Sequence, residues 1–152
     1  MQTLKPELLA ILDTMSAHLA KQRTRAYDDG CKYRDADGRM CAVGCLIPDA
    51  LYDRELEGSV AEMFNHADEG DDVYFEAVEH LQSLAPTVVG YPLSRFFEIT
   101  QHFHDEESGI DDHSYNGILA HSPDTSNDEL AALIHAELVS RLMAHQHESW
   151  LA

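Results

Sequence analysis

Apolar side chains recur at Leu8, Ile11, Leu12, Met15 and Leu19, the three- and four-residue spacing of a single helical face, and Pro6 suits a first turn whose amides have no helical partner. A helix is expected from about Pro6 to Gln22. Val73, Ala77, Val78, Leu81 and Leu84 repeat the pattern between Asp71-Asp72, a capping pair, and Pro86, which stops it. Pro92 opens another helix through Phe96, Phe97 and Ile99 to about Glu106, followed by a loop marked by Gly109, Asp111, Asp112 and Asn116-Gly117. The last helix starts at the capping box Ser126-Asn-Asp-Glu129 and faces inward through Leu130, Leu133, Ile134, Leu138 and Leu142.

Two stretches depart from this period. Cys31 to Cys41 has strand-like residues on either side of Asp37-Gly38, a pair that accepts positive φ, so a β-hairpin is expected there. Pro48 to Tyr52 reads as a short helix, and Ser59-Val-Ala-Glu62 as a second capping box with a further short helix behind it. Together these elements predict an α+β class: a predominantly α-helical single domain, residues 1–152, with one small β-hairpin. With 44% apolar and 25% charged residues in 152, the chain is long enough for a core that needs neither disulfide nor structural metal.

Charge changes the picture most. The formal net charge is −18, which excludes a direct grip on nucleic acid or an anionic membrane. Residues 1–54 carry 8 acids and 8 bases, whereas residues 55–152 carry the other 20 acids with only Arg95 and Arg141. Two acidic groups stand out: Asp68, Glu69, Asp71, Asp72, Glu76 and Glu79, and then Asp105, Glu106, Glu107, Asp111 and Asp112. A charge run of this kind ordinarily keeps a protein soluble or reflects a salt-adapted composition. It also imitates the phosphate array of nucleic acid, and so fits a basic groove on another protein.

The segment His18-Leu-Ala-Lys-Gln22, Cys31-Lys-Tyr-Arg34, Asp37-Gly38, Cys41-Ala-Val-Gly-Cys-Leu-Ile-Pro-Asp49, Tyr52 and Glu57-Gly58 resembles a group of small proteins encoded by tailed bacteriophages. Their pattern is C-x-Y-R, a glycine turn, C-A-[VI]-G-x-L-I and a short E-G. Downstream, Thr100-Gln101-His102-Phe103-His104-Asp105 is similar to their L-Q-x-x-H-D element, with Thr100 in place of leucine. The likeness covers about residues 18–60 well. It implies phage origin and the cytoplasm of a bacterial host, and it implies no particular chemistry.

Catalytic and metal signatures are sparse. Cys31, Cys41 and Cys45 are an odd number of thiols, which favours a reducing compartment. Their spacing of nine and three intervening residues does not make a zinc knuckle, so buried structural thiols are expected, with no metal and no cofactor. A thiol hydrolase is drawn most easily from Cys41 or Cys45 with His102 or His104, but His104 and Asp105 follow one another on a helix, about 100° apart, and are not expected to orient each other. His102 lies at i, i+4 spacing from Glu98 and Glu106, a solvated helix face more often than a cation site. Residues 65–76 have Gly70 and Glu76 at EF-hand positions but Ala67 where the third ligand belongs. No phosphate-binding glycine loop, dinucleotide fingerprint or H-E-x-x-H is present.

The expected function is therefore a non-enzymatic, phage-encoded acidic protein that binds and inhibits a bacterial host or defence protein by nucleic-acid mimicry, a CRISPR effector or a restriction enzyme being the most specific form. The alternatives are a cysteine- or metal-dependent enzyme using Cys41, Cys45, His102 and His104, and a phage structural or assembly factor. The first fifteen residues lack a basic start, a long apolar run and a cleavage site, so a cytoplasmic protein is expected.

Overall fold

The computed structural model describes residues 2–106 and 113–152. Among the described residues there are six α-helices: α1 Pro6–Gln22, α2 Val60–Asp68, α3 Asp72–Leu84, α4 Tyr91–Asp105, α5 Tyr115–His121 and α6 Asn127–His145. Three 3₁₀ turns, Gly44–Leu46, Arg54–Leu56 and Glu148–Trp150, lie between or after them.

The stripe of α1 is buried at all five predicted positions. It packs most extensively on α6, whose Leu130, Ile134, Leu138 and Leu142 are fully buried. Leu133, expected on the same face, is exposed. Ser126 caps α6 by accepting from Glu129 N at 3.2 Å, and Ser59 caps α2 by accepting from Glu62 N at 3.1 Å, each satisfying an amide that the helix leaves open. The α2–α3 pair rests on the rest of the core through α4 and α1, with Phe64, Phe96, Phe97 and Trp150 in successive ring contacts. Trp150 also donates to Pro92 O at 2.8 Å.

The fold is all-α, which corrects the expected α+β class: among the described residues there is no sheet and no β-hairpin, only isolated antiparallel bridges at Leu4–Leu151, Tyr27–Cys31 and Arg34–Met40. The turn at Asp37-Gly38 forms, with Gly38 at φ +82° and its amide donating to Asp35 O at 3.1 Å. The strands do not. Residues 23–59 instead form a long segment of turns and two short 3₁₀ elements, in which side chains satisfy several main-chain amides that local turns leave open. Asp35 accepts from the amides of Tyr27, Asp37 and Arg39, Gln22 from Met40, and Gln101 of α4 from Val43. Glu57 accepts from Tyr33 N at 2.8 Å, Arg34 N at 3.2 Å and the Tyr52 hydroxyl at 2.5 Å. A ladder is unnecessary when buried donors find acceptors in this way.

Two further expectations change. Residues 48–52 form a turn, and the helical element lies beyond it at Arg54–Leu56. Asn116-Gly117, expected in a loop, is inside α5, where Ser114 accepts from Gly117 N at 3.1 Å and so caps a helix.

Candidate functional site

Helix α2 ends at Asp68, and Gly70, with φ of +86°, lets the chain reverse into α3. That corner concentrates charge. Asp68, Glu69, Asp71, Asp72, Glu76 and Glu79 are all exposed, while Ala67, Ala77 and Leu81 anchor the two helices inward. The turn Arg54–Leu56 packs on α3 and adds Asp53, Glu55 and the base Arg54. The Tyr74 hydroxyl donates to Glu55 O, and the His66 ring lies 4.6 Å from the Tyr74 ring. Burial first, then the carboxylates of Asp71, Glu55, Glu62 and Asp53, push the Tyr74 phenol up, so acids from three elements act on one point. Asp53, Glu55 and Glu62 had no place in the sequence-level grouping because they belong to different elements and only the fold brings them to α3. Phe75, on the same helix, is half exposed.

The second acidic group is placed differently. Asp105 accepts at 2.7 Å from Gln101 Nε2 and again at 2.7 Å from His104 Nδ1. Glu106 accepts from Arg141 Nη1 at 2.7 Å and lies 3.0 Å from His102 Nε2. Both are therefore engaged inside the molecule. Glu107, Asp111 and Asp112 lie outside the described residues. Of the two bases in residues 55–152, Arg95 pairs with Glu98 and Arg141 with Glu106 and Glu137.

The thiols sort themselves by burial. Cys41 is fully buried, its sulfur accepting from Gly44 N at 3.1 Å, and burial pushes the thiol far above its ordinary range. Cys45 donates to Ala42 O at 3.1 Å, and burial pushes it up to about 12. Neither carries the character of a nucleophile, which is a thiolate. Residues 65–76 are taken up by α2, the Gly70 corner and α3 rather than by a cation loop.

The sulfur brought to His104 and Asp105 is that of Cys31, not Cys41 or Cys45. Cys31 Sγ, a His104 ring nitrogen and an Asp105 carboxylate oxygen all lie within 4.8 Å of one another. Successive residues do orient each other here, because Asp105 ends α4 and its carboxylate swings back to His104 Nδ1. His104 is fully buried, and its Nε2 accepts from Ala26 N at 3.3 Å. A main-chain N–H can only donate, so Nδ1 carries the proton and both ring nitrogens are occupied. Arg25 Nη1 donates to Asp105 O at 2.9 Å and approaches Cys31 Sγ at 3.6 Å, and Cys31 Sγ donates to the same Asp105 O at 3.8 Å. His102, by contrast, is exposed and faces Glu106.

The motif residues that the sequence pattern singles out thus meet around the end of α4, where Gln101, His104 and Asp105 hold the irregular segment in place through Val43, Ala26 and Arg25. No helix among the described residues is long and apolar enough to cross a membrane. No family model matches the chain, and no curated protein or solved structure is detectably similar to it.

Proposed function

We propose that this chain is a phage-encoded, non-catalytic protein that acts in the host cytoplasm by occupying a basic, nucleic-acid-binding surface of a bacterial host or defence protein. The observation that carries this reading is the corner between α2 and α3, where six carboxylates from the end of α2, the connection at Gly70 and α3 are solvent-exposed. Fixed anionic side chains repeated over a helix pair present spaced negative charge much as a phosphate backbone does, and they steer a basic partner into contact. The polar groups of the phage-like motif support the same reading, since they are spent on main-chain amides of residues 23–59. Of the thiols in the competing enzyme reading, Cys41 is buried and Cys45 partly so, and loss of solvent raises both.

The test is association with a recovered host partner, titrated from about 50 to about 500 mM salt across screening lengths that bracket roughly 8 Å at physiological strength. Affinity should fall steeply with salt, and DNA or RNA should compete. Asp68→Lys, Glu69→Lys, Glu76→Lys and Glu79→Lys together should abolish association while the melting temperature stays level or rises, because like-charge repulsion is relieved. Asp71 and Asp72 are better replaced by Asn, since a base in the first turn of α3 opposes the helix dipole. A flat salt response removes the proposal.

A further inference from the structure

We propose that the open cleft formed by residues 28–57 binds a small sugar phosphate, with the phosphoryl group at Lys32 and Arg54 and the sugar hydroxyls at Asp28 and Asp49. The cleft holds about 930 Å³, and Lys32, Arg34, Asp49, Tyr52, Arg54 and Glu57 form part of its wall. None of the six carboxylates of the acidic corner lines it, so the inference stands apart from the function proposed above.

The charge of this cleft is unlike that of the chain as a whole. Asp28, Asp35, Asp49 and Glu57 line it together with Lys32, Arg34 and Arg54, and Arg39 pairs with Asp35 at 2.5 Å. The acids and bases therefore balance locally in a chain of net charge −18. Surface charges farther off than about 8 Å are largely screened at physiological salt, so an anion can settle here.

The acids and the bases differ in what they already hold. Asp35 accepts from three main-chain amides and from the Arg39 side chain, and Glu57 accepts from the amides of Tyr33 and Arg34 and from the Tyr52 hydroxyl. Asp28 Oδ2 accepts from Ala36 N at 2.6 Å, and Asp49 Oδ1 from Arg34 Nη1 at 2.6 Å. Arg34 also donates to Ile47 O at 2.5 Å, and its guanidinium carbon lies 4.7 Å from the centre of the Tyr52 ring. Lys32 and Arg54 stand apart. Among the described residues neither side chain has a hydrogen bond or an ion pair, and of the remaining bases only Lys21, outside the cleft, shares that state. Arg54 is close enough to Tyr52 to act on its phenol, which burial and then Glu57 raise and which Arg34 and Arg54 oppose.

The spare capacity of the cleft is thus cationic, at two points on its wall. A phosphomonoester brings about −1.5 to −2 charge at neutral pH and three strong acceptor oxygens, which suits a lysine and an arginine together, whereas a carboxylate brings a single charge. The volume exceeds what a phosphoryl group fills and lies within the roughly 300–1,000 Å³ of small-molecule sites, so the ligand has an organic body. That body is polar, because only Ala36, Met40 and the Tyr52 ring offer apolar wall. The exposed carboxylates of Asp28 and Asp49 each keep lone pairs beyond the one bond they accept. Sugar hydroxyls donate to such oxygens. A nucleobase, by contrast, finds little to stack on, since the Arg34 guanidinium already covers one face of Tyr52.

The experiment titrates the full chain by calorimetry with glucose 6-phosphate and ribose 5-phosphate, with glucose and inorganic phosphate as the separated halves and adenosine monophosphate as the nucleobase-bearing control. At least one sugar phosphate should bind at one site per chain, more tightly than either half and at least as tightly as the nucleotide. Lys32→Gln and Arg54→Gln should each weaken binding by about tenfold, as the loss of one charge-assisted bond does, and Lys32→Arg should retain most of the affinity. Tm should stay level in all three, because neither side chain holds a partner in the fold. Amide resonances shifted by the sugar phosphate should cluster within residues 28–57. No binding of either sugar phosphate at millimolar concentration, equal binding of inorganic phosphate alone, tighter binding of the nucleotide, wild-type affinity in the Lys32→Gln, Arg54→Gln double variant, or shifts confined to other residues would overturn the proposal.

Discussion

Gly44 offers the most direct test of how the irregular segment is built. A Cβ placed there would stand 2.1 Å from the Tyr33 carbonyl oxygen and 2.8 Å from its carbon, both main-chain atoms that no side-chain rotation can clear. That same oxygen accepts from Cys41 N at 3.1 Å, and Gly44 N donates to Cys41 Sγ. Gly44→Ala must therefore push apart two main-chain strands pinned by the Glu57 carboxylate on one side and Gln101 on the other. Overpacking of this kind costs about 1–3 kcal/mol, and a buried amide left without its acceptor adds about 1–3 kcal/mol. The sum is a large share of the roughly 5–15 kcal/mol that holds a domain together. For a chain of this length each kcal/mol lowers Tm by about 2–4 °C, so a fall of roughly 5–20 °C is expected by differential scanning calorimetry, with the far-ultraviolet helical signal preserved below the transition. A variant that melts within about 2 °C of the wild type would show that the approach of Tyr33 to Gly44 is not the constraint described.

Two further substitutions probe the side-chain acceptors that stand in for a β-ladder. Glu57→Gln weakens charge-assisted bonds to Tyr33 N, Arg34 N and the Tyr52 hydroxyl and turns one acceptor into a donor facing a donor, so urea denaturation should show a loss of about 2–4 kcal/mol. Asp35 is buried, and although burial alone would raise its carboxyl, the Arg39 side chain and the amides of Arg39 and Tyr27 hold it below the ordinary carboxylate range. A carboxyl depressed in the folded state contributes stability that is present above the unfolded-state value and lost as pH falls through the folded-state value. Asp35→Asn should accordingly destabilise at pH 7 and converge with the wild type under strong acid, as read by Tm against pH; a deficit that stays constant with pH would contradict the assignment.

Helices are legible in the sequence where an apolar stripe coincides with a start signal, Pro6 for α1 and Ser126 for α6. Leu8 to Leu19 and Leu130 to Leu142 announce α1 and α6 without any tertiary knowledge, and Ser59 and Ser126 mark where helices begin. Residues 31–41 do not form the expected hairpin, although Asp37-Gly38 is a sound turn signal, because the partners that replace the strands are far along the chain: Glu57, Gln101 and His104 reach back to Tyr33, Val43 and Ala26. Local spacing carries no trace of such pairings. For the same reason the spacing offers Cys41 or Cys45 to His104, whereas the fold brings Cys31 there. The acidic corner was visible as composition at Asp68 to Glu79, yet its extension by Asp53, Glu55 and Glu62 depends on how the Arg54–Leu56 turn packs against α3.

The pairing of α1 with α6 has a consequence for synthesis. The two helices share the most extensive contact in the fold, but about a hundred residues separate them in the sequence. At roughly 5–20 residues per second on a ribosome, α1 waits some 5–20 s before its partner is made, its leucine stripe open to water and to any chaperone that reads such surfaces. The core cannot close from the leading end. Folding of this chain is therefore a late event, completed when the trailing helix arrives, and its yield depends on what shelters the first helix in the meantime.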